Sequence, residues 1–170
     1  FDLNSVSNTA HALFYFALGL PAFALNKLFS SFLFARHNTK TPFHFSIVSV
    51  LLNIFISVYF FNEIGFIIIP IATTISSWFN TFLLLFYVLS KKYFSFYKSF
   101  PIKFLNILFV SFFSSYIFYK LIQNFNEYLI YESDHKLLTI VLLVIITFLI
   151  YITTSIATKA FKISDIKLKY

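Results

Sequence analysis

The sequence predicts an all-α integral membrane protein, a polytopic bundle of about five transmembrane helices. Three observations carry that prediction. Of 170 residues, 59% are hydrophobic and 11% charged, whereas soluble domains carry roughly a quarter charged residues. Apolar runs of bilayer-crossing length recur between short charged patches. The runs are long and unbroken, which favours helices that satisfy their own backbone over a barrel.

The spans follow in order, about His11–Phe34, Phe43–Phe61, Ile64–Leu89, Phe104–Gln123 and Leu137–Thr158. Each reaches the roughly 20 residues that cross the hydrocarbon at 1.5 Å per residue. Only "NEIG" joins the second to the third, a tight helical hairpin for which Gly65 suits the turn. No soluble domain, low-complexity linker or short repeat intervenes. The absence of cysteine excludes disulfides and thiolate metal sites. The abundance of Phe, Ile, Lys, Asn and Tyr reads as nucleotide bias. A chain that starts at Phe1 and holds no Met reads as a piece of a longer protein, and no basic n-region announces a signal peptide.

Charge predicts the orientation. Arg36 and Lys40 follow the first span; Lys91, Lys92, Lys98 and Lys103 follow the third; Lys159, Lys162, Lys167 and Lys169 follow the fifth. Asp2, Glu63, Glu127, Glu132 and Asp134 fall on the other side, with Lys136 and the border residue Lys120. By the positive-inside rule the N-terminus is outside and the C-terminus cytoplasmic. The net charge of +7 belongs to this asymmetry and to anionic membrane lipids, so no nucleic-acid partner is expected.

The stretch "GLPAFALNKLFSSFLFARHNTKTP" holds the most informative residue. Lys27 stands nine residues before Arg36, about 13 Å along a helix. A lysine near a span's centre costs about 2.5–3.5 kcal/mol on insertion scales. It therefore faces a wet cavity or snorkels to an interface. Pro21 and Pro70 are expected to remove helix hydrogen bonds and bend their axes. Asn53 and Ser57 share a face of the second span, and Thr73, Thr74, Ser76, Ser77 and Asn80 crowd the third. Such residues tie helices together or form an oxygen-lined alkali-cation site. "SKKYFSFYKSFPIK" reads as a cytoplasmic helix lying in the headgroup region. The histidines His11, His37, His44 and His135 lie at span ends without a second ligand at metal-site spacing. No carboxylate lies within a span, so neither a catalytic constellation nor a resident metal is expected.

"FD…TAHALFYFALGLPAFALNKLFSSFLFARHNTKTPF", then "IVSVLLN" and a Gly-led helix ending "SSWFNTFLLL", closely resembles the MurJ/MviN family of lipid II flippases. The resemblance is most specific from Phe1 to Pro42 and persists to about Leu89. It implies a two-lobe fold like that of the multidrug/oligosaccharidyl-lipid/polysaccharide exporters, with two extra C-terminal helices. Residues 1–89 would then hold the last three helices of the second lobe. Residues 90–170 would hold a basic cytoplasmic connector, the extra helices and a tail; the missing N-terminal part would complete the protein. Family lobes enclose a cationic cavity suited to a pyrophosphate headgroup, and the extra helices help form an apolar groove for the prenyl tail. By the same resemblance Lys27 looks like the family's lysine in this helix. Arg36, Thr39, Lys40, Thr41 and Pro42 resemble its cytoplasmic turn. Some members hold sodium with an Asn, an Asp one turn on, and a Thr on the next helix. Asn53 and Thr73 match, but Ser57 replaces the Asp and removes a formal charge.

The expectation is the C-terminal portion of a flippase, not an enzyme, that moves lipid-linked peptidoglycan precursor across the bacterial inner membrane by alternating access. An ion gradient, with sodium as the candidate coupling ion, or the membrane potential would drive it. Its alternatives are an exporter of other lipid-linked saccharides and a non-transporting membrane scaffold.

Overall fold

The computed structural model describes residues 3–93, 100–129, 136–158 and 160. Every apolar run folds as an α-helix: α1 Leu3–Ala35, α2 Lys40–Ile64, α3 Ile68–Ser90, α4 Phe100–Asn124 and α5 Lys136–Ala157. Short 3₁₀ turns cover Gly65–Ile67 and Asn126–Leu129. All five helices outrun the apolar segments at one end or both, because backbone hydrogen bonding continues past the hydrocarbon boundary. Helix α1 does so most, its 33 residues spanning about 50 Å. Its polar start is helical, with Thr9 Oγ1 donating to the Ser5 carbonyl at 2.7 Å.

Pro70 acts differently from the expectation. Pro42 and Pro70 are each the third residue of their helix and Pro101 the second. The leading N–H groups of a helix lack intrahelical acceptors, so proline there starts a helix without costing a bond. Pro70 therefore begins α3 rather than bending it. Pro21 lies inside α1, which remains helical on both sides.

The chain divides into two compact units, Phe1–Ser95 and Phe96–Tyr170, a few residues beyond the division expected after Leu89. In the first, α3 packs against both α1 and α2, which scarcely touch each other. Hydrogen bonds pair Thr74 with Tyr15, Trp78 with Leu18 and Thr81 with Ala22, so numbers rise together and α1 runs parallel to α3. Asn53 meets both Thr73 and Ser76 across the other interface, as an antiparallel hairpin requires. Gly65 makes that reversal possible: its φ of 71° and ψ of −154° lie in a region essentially reserved for glycine.

Small residues let α1 and α3 approach. Gly19 is buried, and a Cβ there would lie 3.0 Å from both Thr74 Oγ1 and Phe23 Cζ. Ala22 beside it is 0% exposed. Further along, Leu33, Leu84 and Val88 form a dry cluster covered by Phe29, Phe32, Phe45 and Tyr87.

Two ends share one stop signal. The Asn38 N–H donates to Leu33 O and the His37 N–H to Phe34 O, while Tyr93 donates to Val88 O and Lys92 to Leu89 O. Both are Schellman terminations, which need a left-handed residue, usually glycine. Here His37 and Lys92 take φ of 58° and 55°. His37→Gly should therefore raise the thermal stability of the purified protein, by about 0.5–1 kcal/mol, through relief of the Cβ clash. An unchanged or lower midpoint would show that the histidine side chain stabilises the turn.

In the second unit α4 and α5 form an antiparallel hairpin. Asn106 Nδ2 donates to the Thr158 carbonyl at 3.1 Å, and Val110, Ser114, Leu143 and Ser155 are buried. Much of the expected interfacial helix, residues 94–99, lies outside the described residues. Lys91–Tyr93 belong to the turn ending α3, and Phe100–Lys103 open α4. The acidic residues at 132 and 134, His135, and the lysines from 159 onward also lie outside the described residues.

Candidate functional site

The polar residues of the first unit gather at three places: on α1 away from its α3-facing stripe, at the α1–α2 turn, and along the cleft between α1 and α2 whose floor is α3.

Lys27 is exposed on α1. The α1 residues that meet α3 include Tyr15, Leu18, Gly19, Ala22, Asn26 and Leu33. At 100° per residue Lys27 lies about 100° beyond Asn26, off that stripe. Lys27 thus lies off the α3-facing stripe, whereas Asn26 lies on it and bonds to α3.

At the α1–α2 turn, Thr39, Lys40 and Arg36 are exposed and Pro42 is buried. The Arg36 guanidinium carbon lies 4.9 Å from the centroid of Phe32 and 4.3 Å from that of Tyr93, held by two aromatic faces. The organising residue is Asn38, which the sequence reading passed over. Its Oδ1 accepts the Thr41 N–H at 3.2 Å, and its Nδ2 donates to Tyr87 Oη at 3.1 Å. One side chain thereby caps α2 and fastens the turn to α3. A cavity of about 540 Å³ opens here, lined by Ser30, Thr39, Lys40 and Ser46 among aromatic and proline walls.

In the cleft, Asn53 and Ser57 share a face of α2, one turn apart, and Thr73 meets Asn53 from α3. Asn53 Nδ2 donates to Thr73 Oγ1 and to Ser76 Oγ, each at 3.2 Å, and Ser57 Oγ donates to Asn53 Oδ1 at 3.2 Å. The orientation of the amide follows from proton bookkeeping. Thr73 spends its hydroxyl proton on the Ile69 carbonyl and Ser76 spends its own on the Thr73 carbonyl. Both can then only accept, so the amide must offer them its NH₂. The network is closed, and what Asn53 turns toward Thr73 is a donor.

Residues missed in the sequence complete the cleft. Thr81 Oγ1 lies 2.9 Å from Asn26 Oδ1, and Asn26 Nδ2 donates to the Ser77 carbonyl at 3.1 Å, a second tie between α1 and α3. A cavity of about 350 Å³ is lined by Asn26, Ser49, Asn53, Thr73 and Asn80 with neighbouring serines. The signal that would have found it is a stripe on α2: Pro42, Ser46, Ser49, Asn53 and Ser57 recur every three to four residues.

With this geometry in view, the family model described as Lipid II flippase MurJ matches residues 1–139. The chain belongs to the MurJ lipid II flippase family. Similar proteins include the probable lipid II flippase MurJ of Rickettsia prowazekii (strain Madrid E), 36% identical over 84 residues, which are 49% of this chain and 17% of that protein. The namesake of Rhizobium meliloti (strain 1021) is 36% identical over 84 residues, covering 49% of this chain and 16% of its own. That of Rhizobium tropici is 31% identical over 80 residues, 47% of this chain and 15% of its own. The matched portion is thus about a sixth of the length of these MurJ relatives. The family and the long apolar helices together make this a multi-pass bacterial membrane protein.

Proposed function

We propose that the chain is the C-terminal portion of a lipid II flippase, which moves the lipid-linked peptidoglycan precursor from the inner to the outer leaflet of the cytoplasmic membrane. The observation that carries this reading is the MurJ match across residues 1–139. In this reading no covalent bond changes, and transport is alternating access between two lobes. Helices α1 to α3 are the end of the second lobe, and α4 and α5 are the additional pair. Lys27 lines the cavity between the lobes and receives the anionic headgroup. Its exposure on a face that leaves α3 free supports that role. The shallow groove of about 390 Å³ between α4 and α5, walled by Phe118, Val144, Phe148 and Tyr151, suits an apolar tail.

The Asn53–Ser57–Thr73 group acts as a helix tie in this reading, not as the sodium site of some relatives. With Ser57 in place of a carboxylate and a donor facing Thr73, the residues do not fit a cation.

The test is reconstitution in liposomes with a labelled lipid-linked precursor. The full-length protein should transport and the 170-residue chain alone should only insert. A cavity between lobes has no second wall when one lobe is missing. Transport by the chain alone would overturn the two-lobe reading, and failure by the full-length protein would favour the exporter of other saccharides or the scaffold.

Orientation follows the positive-inside rule, with the Arg36–Lys40 turn and Lys91–Lys92 cytoplasmic, beside anionic lipid. A single cysteine at Ser90 should be shielded from an impermeant reagent added outside, and one at Asn126 should react. The opposite sidedness would invert the topology.

A further inference from the structure

Within the cleft, two oxygens stand apart from the closed Asn53 network. Ser49 Oγ and Asn80 Oδ1 are buried without any hydrogen-bond partner. Their residues are 6% and 9% exposed, and both line the cavity of about 350 Å³. A buried amide or hydroxyl oxygen left bare is costly, and native structures answer such groups with protein or water. Three neighbouring hydroxyls are already engaged: Thr73, Ser76 and Thr81 all spend their protons on backbone carbonyls or on Asn26. Neither oxygen meets a partner among the described residues.

A second cavity adjoins this one. Ser46 lines both this cavity and the one of about 540 Å³ at the Lys40 end. Ser46, Ser49 and Asn53 sit at i, i+3 and i+7, on one face of α2, over about 10 Å. Ser30 and Asn26 stand on the α1 wall at matching levels. The cleft therefore offers hydroxyl or amide groups at each turn from the helix end inward.

We propose that this cleft is a water-filled track that leads from the Lys40 end of the bundle to the level of Asn53. Water is the ligand that the chemistry selects. It can donate to Asn80 Oδ1, and it can donate to or accept from Ser49. At about 30 Å³ per molecule in the liquid, several fit. A cation is disfavoured, because the mouth carries Lys40 and the lining carries no carboxylate. A phosphate-bearing ligand lacks donors at the orphan oxygens. The track brings solvent to the tie that fastens α2 to α3 at mid-helix. This inference does not rest on the transported substrate, because it concerns access of water.

The test uses the full-length protein, with any other cysteines removed, in membrane vesicles without substrate. Single cysteines replace Ser46, Ser49 or Asn80, and Leu84 and Val88, both buried in the dry cluster, serve as controls. A small cationic methanethiosulfonate reacts with the thiolate, which forms only where water reaches. Cysteines at Ser46 and Ser49 should react at least about 10-fold faster than both controls. Rates at Ser49 and Asn80 equal to the controls would overturn the track. If the Asn80 variant fails to fold, the Ser→Cys pair, close in size to the native side chains, still decides the matter. Adding Ser46→Phe should slow labelling of the cysteine at Ser49 by about 10-fold or more. No slowing would place the access elsewhere and overturn the route from the Lys40 end.

Discussion

Lys27→Ala in the full-length protein should abolish most flippase activity while leaving membrane insertion intact. The substitution removes a charge whose insertion is unfavourable by about 2.5–3.5 kcal/mol, so the helix itself should insert more readily without it. What is lost is a cation presented from an exposed position on α1, on the face that α3 leaves uncovered. A hydrogen bond to a charged group contributes about 1.5–3 kcal/mol, so transport of the anionic precursor should fall by about 10- to 100-fold. Lys27→Arg should retain part of the activity, because the charge persists while its shape changes from a point to a planar fork. Growth complementation in a strain depleted of its own flippase, with protein levels matched, is the measurement. Full complementation by Lys27→Ala would show that the lysine only snorkels, and would favour a scaffold over a transporter.

Ser57→Asp should destabilise the protein by about 3 kcal/mol, with no recovery in sodium. Ser57 Oγ donates to Asn53 Oδ1, and an aspartate in its place sets a carboxylate against that same oxygen. The amide cannot relieve this by turning over. Its oxygen would then face Thr73 and Ser76, whose protons are committed to the backbone carbonyls of Ile69 and Thr73. A half-buried carboxylate without a partner in a low-dielectric setting accounts for the cost. Thermal unfolding in detergent, with and without sodium, reads the outcome. A variant that sodium stabilises well above wild type would show that the three residues form a cation site awaiting one charge.

Much of the fold was legible because hydrophobic length is nearly sufficient to define a membrane helix. The hairpin of α2 and α3 was legible for a further reason. A tight turn at Gly65 fixes an antiparallel register, so Asn53 and Thr73 had to lie near one another. No comparable construction exists for α1 and α3. They are parallel, separated by a whole helix, and nothing in their sequences states that Asn26 meets Ser77 and Thr81. Asn38 was illegible for a different reason: its capping and its bond to Tyr87 depend on a left-handed His37, and a histidine does not announce that conformation as glycine would. Pro70 misled because its role depends on a helix boundary that hydropathy blurs. The orphan oxygens of Ser49 and Asn80 are visible only once all neighbouring protons are assigned.

The bonds between α1 and α3 also bear on how the chain is made. Tyr15 O, Leu18 O and Ala22 O accept from side chains 59 or 60 residues later. At about 5–20 residues per second, α1 stays in lipid for roughly 3–12 s before its partner has been synthesised. That delay does little harm, since those carbonyls lie inside a helix and are already bonded to its own N–H groups. The need sits in the later element. Trp78 Nε1 in particular arrives with a proton to place and finds the Leu18 carbonyl already in position. Assembly thus has a built-in order, in which a self-sufficient helix waits and the helix with outstanding hydrogen bonds seeks it out.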